Sequence, residues 1–364
     1  MVRGKVNGVT KQITDKAKDV HSKILKSKSP TMTTPVRSLS NVRYKARTGY
    51  FEMLDKNKQR TLTVRTVKTF AQTLKMMAMA KELIETDDMA TKREAYYVSK
   101  NWGKAGFSEQ SESDTIMDDV EAMFRVNREQ LKFTPEEKGG DVAGRLIVID
   151  SDSNGKSLKI DCTKFGSGAY SIPTRVEDLK FRSNARFVLV IETAGMFQRL
   201  LKYNYWKSAQ CILISMGGVP TRACRRFIRK LSDKLKIPVY AFVDGDPYGY
   251  FNIYRTLKVG SGRAAHLNRF FCVPSARFLG VTPQDIKTYK LPTHPLKQVD
   301  IKRAKDALKN DPFVRHHKQW QRAVKQMLQM GVRVEQQAFA KYGLDFVVNE
   351  YLPDKLKKAS KFLP

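Results

Sequence analysis

Long hydrophobic runs are missing from this 364-residue chain. The longest, such as FVLVI at Phe187–Ile191, fall far short of the roughly 20 apolar residues that cross a bilayer as a helix. The N-terminus has no apolar core of the signal-peptide type. The expectation is a cytoplasmic chain with no membrane partner. Cysteine is scarce: Cys162, Cys211, Cys224 and Cys272, with no pair at CxxC spacing. That excludes a zinc ribbon and a disulfide framework and leaves buried free thiols. The five histidines form no ligand pattern. No GxxxxGK[ST] is present, and neither GVTKQ nor GGVPTR replaces it, so this chain has no P-loop for a nucleoside triphosphate. Acidic residues are also short, 36 Asp+Glu against 67 Lys+Arg, for a formal charge of +31. Such an excess predicts a polyanionic partner, nucleic acid first and an anionic membrane surface second.

What is present reads as two domains behind a tail. Residues 1–48 hold 12 Lys/Arg, two acidic residues and many Ser and Thr, with weak apolar periodicity. They read as a mobile basic tail that adds phosphate affinity. From Val64, apolar residues recur in helical steps through Val67, Phe70, Leu74 and Met77, with MMAMA as core. TKRE from Thr91 is a capping-box pattern, in which Thr91 accepts from the Glu94 amide and Glu94 reaches back. DTIMDDVEAMF at Asp114–Phe124 supplies a third helix. Three helices followed by a strand pair suggest a helix-turn-helix or winged-helix module. RLIVID, DSNGK and SLKIDC form that pair, a hairpin around Asn154-Gly155. After Arg182, FVLVI, CILIS and PVYAFV alternate with helices at Met196–Lys202 and Thr221–Lys236, which predicts a parallel sheet. Beyond Asp300 the chain reads as helical. RRFIRKLSDKLK is expected to face DNA.

The chemistry sits at strand ends. Glu192 follows FVLVI directly, and Asp244 and Asp246 follow PVYAFV in DGDPYG. Ligands of open parallel sheets bind at the carboxyl ends of strands, so the three carboxylates are placed to converge. Three like charges buried together need a cation, and hard oxygen donors suit Mg²⁺. Gly245 and Gly249 are read as tight-turn residues and Pro247 as the turn's fixed point. A second candidate is TKREAYY. Arg93 and Tyr97 share a helix face at i,i+4, and so do Lys92 and Tyr96, so spacing alone leaves both tyrosines open as nucleophiles.

The strings VIETAGMFQRL, GGVPTRACRRFIRKL, VYAFVDGDPYGYFNIYRTLKVGS and ARFLGVTPQDI resemble the cutting (A-type) component of type IIB DNA topoisomerases and the related meiotic double-strand-break transesterase. The similarity covers about residues 60–360. It implies a mixed α/β chain: a basic tail over 1–50, a winged-helix (CAP-like) domain carrying the catalytic tyrosine over 51–150, a hairpin and linker over 151–182, and a Toprim domain with a parallel sheet and helical C-terminal part over 183–364. The family motif places the nucleophile on Tyr97 and its supporting arginine on Arg93. The Arg93 fork also gives Tyr97 the better phosphate clamp, since Lys92 beside Tyr96 is only a point charge. The resemblance implies Mg²⁺ on Glu192, Asp244 and Asp246, and a reversible 5′-phosphotyrosyl link to double-stranded DNA. It also implies a homodimer within an A2B2 assembly, in which a GHKL-type B subunit binds ATP and docks near residues 1–60. Localisation would follow the DNA: nucleoid, or nucleus in a eukaryote. No histidine stands near TKREAYY, which leaves water or metal-bound hydroxide to take the phenol proton. Three rivals remain: a break-making transesterase of the meiotic type, a metal-dependent Toprim nuclease, and a non-catalytic DNA-binding module.

Overall fold

A computed structural model describes residues 2–134 and 139–364. Residue 1 and residues 135–138, inside the expected tail and winged-helix domain, lie outside the described residues. The chain divides into two compact units. The first comprises Met1–Val42, Met53–Glu137 and Gly262–Leu267, and the second Arg43–Glu52, Lys138–Ser261 and Asn268–Pro364. No described helix is long and apolar enough to cross a membrane.

The first unit departs from the expected basic tail. Residues Val2–Leu25 form a helix, α1, and bury Val9, Ile13 and Val20. The sparse apolar positions are spaced four and seven apart, which puts them on one face. Lysines line the rest of the helix, and this high polarity hid the periodicity. Strand β1 (Thr31–Pro35) pairs antiparallel with β2 (Asn57–Thr61). Helices α2 (Val67–Glu85), α3 (Lys92–Val98) and α4 (Gln110–Phe124) follow. Their core joins Val9 and Ile13 to Met76, Met77, Ala80, Ile116, Met117 and Val120. The MMAMA segment is therefore core, as read, whereas Val64 is solvent-exposed and precedes the helix. Asp119 is buried on α4 and is met by Arg37 at 2.9 Å and Lys58 at 3.2 Å, which ties the β1–β2 ribbon to the helices.

The second unit holds strands β3 (Asp141–Gly144), β4 (Ile147–Ser151), β5 (Ser157–Asp161), β6 (Tyr170–Ser171), β7 (Lys180–Arg182), β8 (Phe187–Ile191), β9 (Cys211–Ser215), β10 (Val239–Phe242) and β11 (Ala276–Gly280). The hairpin predicted around Asn154-Gly155 is β4–β5, with Gly155 at φ +75°. It belongs to a three-stranded sheet, β7-β4-β5, of this second unit and not to the three helices. The six-stranded sheet runs β6-β3-β9-β8-β10-β11. Its β9-β8-β10-β11 part is parallel, as the continuous apolar runs predicted. β8 and β9 are buried at every position, because helices α5 (Ala194–Lys202) and α6 (Arg222–Leu235) are part of the βα alternation that covers the sheet. β8 leads to β9 on one side of itself, while β10 lies on its other side and leads on to β11. The strand order therefore reverses between β8 and β10, and such a reversal opens a crevice at the strands' carboxyl ends. The C-terminal part is mainly helical, including Gln298–Asn310 and Lys318–Met330.

Candidate active site

Glu192 leaves β8 at this crevice. Its amide donates to the Phe242 carbonyl at 3.1 Å, so the last rung of the β8–β10 ladder fixes its backbone. Its side chain is buried, at 8% exposure for the residue, and Oε2 accepts the Asp244 amide at 2.8 Å. Asp244 Oδ1 accepts the Gln336 amide at 2.8 Å. Asp246 Oδ1 accepts the Gly249 amide at 2.6 Å, capping the helix that begins at Pro247. Each carboxylate is thus oriented through one oxygen by a backbone N–H.

Neither glycine of DGDPYG has a positive φ, which corrects the tight-turn reading. They are needed for close approach. A Cβ on Gly245 would lie 2.5 Å from Val334 Cγ1, and one on Gly249 would lie 2.7 Å from the Asp244 carbonyl oxygen and 3.3 Å from Glu192 Oε2. Pro247 opens a helix instead of fixing a turn, a position where its missing N–H costs nothing.

Burial pushes the Glu192 carboxyl up to about 8, with repulsion from Asp244 and Asp246 adding to it. Burial likewise lifts Asp244 to about 6, against the Gln336 amide, which draws it down. Asp246 is raised by burial, and Asp300 adds repulsion. Ionising all three carboxyls together is therefore costly in the protein alone, and a hard divalent cation on these oxygen donors would supply the neutralisation that the site lacks. As they stand, no three His, Cys, Asp or Glu side chains among the described residues are gathered closely enough to hold an ion. The residues fit such an ion in donor type and electrostatics, and share a crevice without closing around it.

Sequence reasoning missed Gln336. It is fully buried, donates from Nε2 to the Phe242 carbonyl at 2.9 Å, and accepts from Thr193 Oγ1 at 2.9 Å. It therefore joins the loop after β8 to the end of β10 while its own amide holds Asp244. No local pattern marks a glutamine 92 residues from its partner.

The tyrosine motif lies in the first unit. The capping box forms as expected: Glu94 N–H donates to Thr91 Oγ1 at 3.1 Å and Thr91 N–H to Glu94 Oε2 at 2.6 Å. The two i,i+4 pairs then separate. Lys92 Nζ meets Asp114 at 2.5 Å, while Tyr96 packs on the core, donates its hydroxyl to the Ser108 carbonyl at 3.2 Å and lies under Lys100 at 4.2 Å. Arg93 is exposed and has no hydrogen bond or ion pair among the described residues. Tyr97 is 59% exposed and makes its ring contact with Tyr96, at 5.4 Å between centroids. The Lys92/Tyr96 face is occupied by the protein's own contacts, and the Arg93/Tyr97 face is open.

The basic helix α6 departs from expectation. Arg226 forms a two-pronged pair with Glu177, at 2.7 Å on each arm. Arg229 binds Asp233 at 2.7 Å and the Cys272 carbonyl at 2.8 Å. Lys230 donates to the carbonyls of Val176, Glu177 and Leu179. These three cations hold a loop and a helix end, so they are not free to face DNA. All four cysteines are free and buried, as predicted.

Three family descriptions match successive parts of the chain. "Type IIB DNA topoisomerase" covers residues 68–133, and "All-beta domain in DNA topoisomerase VI alpha subunit" covers 136–185. The Toprim domain shared by the topoisomerase 6 A-subunit and Spo11 covers 187–356. The A-subunit of type 2 DNA topoisomerase 6 from Methanocaldococcus jannaschii is 55% identical over 353 residues, 97% of this chain and 95% of that protein. The chain belongs to the family of type 2 DNA topoisomerase 6 A-subunits. The proteins of that name from Methanothermobacter thermautotrophicus and Pyrococcus abyssi are each 36% identical, covering 92% and 98% of this chain and 93% and 95% of their own lengths. The crevice carboxylates lie in the Toprim match, and TKREAYY lies in the type IIB topoisomerase match.

Proposed function

We propose that this chain is the DNA-cutting and rejoining subunit of an ATP-dependent type IIB topoisomerase, with Tyr97 as nucleophile, Arg93 as its phosphate clamp and Glu192, Asp244 and Asp246 as ligands of Mg²⁺. The observation that carries the reading is the asymmetry on α3: Tyr96 and Lys92 are engaged, whereas Tyr97 and Arg93 stand open on one face. The family membership supplies the reaction class.

In the cutting step the Tyr97 phenol oxygen attacks phosphorus and loses its proton to solvent. The O–P bond forms as the P–O3′ bond breaks, and the 3′ oxygen takes up a proton. One phosphodiester replaces another, so the 3′ hydroxyl can reverse the step without an energy source. Arg93 holds the non-bridging oxygens through its planar fork, where charge builds in the transition state. Glu192, Asp244 and Asp246 would hold the divalent ion at the crevice, and the backbone amides of Asp244, Gln336 and Gly249 keep them aimed. The chemistry that Mg²⁺ would supply there is charge neutralisation of the phosphate and of the leaving oxygen.

Tyr97 and the carboxylates belong to different units. Two copies exchanging tyrosines across a dimer would give two composite sites, one per strand, and so a double-strand break. ATP is bound by a partner B subunit of GHKL type in an A2B2 assembly. The first unit serves as a winged-helix-like DNA-binding domain, and the protein acts in the nucleoid. The test is relaxation of supercoiled DNA by the purified chain with its B subunit, Mg²⁺ and ATP. ATP-dependent relaxation in steps of two links supports the reading. Covalent breaks without relaxation would assign the chain to break-making transesterases, and cutting that survives Tyr97→Phe would make it a nuclease.

A further inference from the structure

One cation at the crevice stands without an ion-pair partner among the described residues. Val332 and Arg333 pair antiparallel with His294 and Pro295. The next residue, Val334, is bridged in both directions to Gly245: Gly245 N–H donates to the Val334 carbonyl at 2.8 Å, and Val334 N–H to the Gly245 carbonyl at 3.2 Å. Gly245 is the middle residue of Asp244-Gly245-Asp246, and its Cβ-free face is what lets Val334 approach. The backbone therefore fixes Arg333 beside both aspartates. Its positive charge draws both of their carboxyls down, against the repulsion of Glu335 on Asp244 and of Asp300 on Asp246.

Arg333 nevertheless makes no ion pair among the described residues, and its Nε is enclosed by protein with no hydrogen-bond partner. Some other arginines of the second unit are engaged. Arg255 meets Asp311 at 2.8 Å, Arg303 meets Asp300 at 3.4 Å, and Arg277 donates to the carbonyls of Ser360 and Phe362. An arginine that served only as counter-charge would gain most by contact with the carboxylates, since a close, forked pair is the strong geometry. Half-buried, near but not on them, Arg333 leaves the carboxylates to a cation, and its two terminal guanidinium nitrogens, which are not enclosed as Nε is, remain for an anion. A phosphodiester fits that role, because its non-bridging oxygens match the guanidinium fork.

We propose that Arg333, anchored by the Gly245–Val334 bridge, is a DNA phosphate-binding residue at the edge of the carboxylate crevice. The assignment rests on the topoisomerase reading above, and its test separates the two. Binding of a fluorescent duplex oligonucleotide to the full chain is measured over a range of salt for the wild type, Arg333→Gln, Arg333→Lys and, as control, Arg303→Gln. Mn²⁺ binding without DNA is measured by electron paramagnetic resonance on the same proteins. Arg333→Gln should weaken duplex binding about tenfold and reduce the slope of log affinity against log salt by about one. Arg333→Lys should keep the slope and lose several-fold in affinity, because a point charge replaces a fork. Mn²⁺ affinity should hold or rise in Arg333→Gln, since a nearby positive charge is gone. Unchanged duplex affinity and slope in Arg333→Gln, with or without weaker Mn²⁺ binding, would overturn the assignment and make Arg333 a counter-charge. Should Arg333→Gln not fold, Arg333→Lys decides: wild-type affinity overturns the assignment. A wild type that shows no salt-dependent duplex binding would instead overturn the topoisomerase reading itself.

Discussion

The tyrosine helix and the carboxylate crevice solve opposite problems. Tyr97 and Arg93 stand in solvent with nothing engaging them but a neighbouring ring. Glu192, Asp244 and Asp246 are desolvated, mutually repelling and individually pinned by backbone amides. On the proposed reading, Tyr97 must meet a polymer and so needs access, and a short capped helix provides a rigid base for it. As the proposed ion ligands, the carboxylates would need preorganisation, which the protein would provide at an electrostatic cost. The neighbouring Tyr96 shows how small the difference can be, one residue along the helix from Tyr97 yet packed and hydrogen-bonded.

The largest effect that would break this contrast concerns Arg93. Arg93→Ala should slow DNA cleavage by about 10²–10³-fold, the size of losing one donor to developing charge, while Tyr96→Phe should cost no more than several-fold in quantitative cleavage assays. Equal losses would mean that the open and the engaged face matter alike. Next comes the packing of α1, which underlies the first unit. Ile13→Ala, at a site 2% exposed, should cost about 2–4 kcal/mol in chemical denaturation, and Lys18→Ala on the exposed side within about 0.5 kcal/mol. Matching small values would restore the loose basic tail.

The crevice offers a pH test. The folded carboxyls of Glu192 and Asp244 are raised, to about 8 and about 6, so between roughly pH 4 and pH 8 the folded protein binds more protons than the unfolded chain. Without divalent ions, stability should fall as pH rises through that window. Glu192→Gln removes most of the effect and should be more stable than wild type by on the order of 4 kcal/mol at pH 8 and equal to it at pH 4. Thermal unfolding in chelator at the two pH values checks this, and equal stability at pH 8 would mean the carboxylates are not in conflict. The smallest effect sits on α6. Glu177→Gln breaks a half-exposed pair and should cost about 0.5–1 kcal/mol. It should leave duplex affinity no lower than wild type, which a melt and a binding titration would show.

Much of this was legible because the informative patterns are local. Strands β8, β9 and β10 announced themselves as unbroken apolar runs, and Glu192, Asp244 and Asp246 were placed by adjacency to those runs alone. The Thr91 capping box was likewise a four-residue pattern. What stayed hidden depended on distance or on partners. Helix α1 was masked by its lysines. The β4–β5 hairpin is plain from its turn, but sequence order does not say which sheet a strand joins, and it belongs to the second unit and not with the helices that precede it. The roles of Gly245 and Gly249 came from Val334 and Glu192, far along the chain. The α6 cations looked free until Glu177 and the carbonyls of the 176–179 segment were seen to engage them.

The most direct test of the central claim is covalent capture. The chain is incubated with supercoiled DNA, Mg²⁺, ATP and the B subunit, then denatured, digested and assayed for DNA-linked tyrosine. Wild type and Tyr96→Phe should yield the link, and Tyr97→Phe should yield none. A link that persists in Tyr97→Phe and disappears in Tyr96→Phe would place the nucleophile on the packed tyrosine and contradict the account.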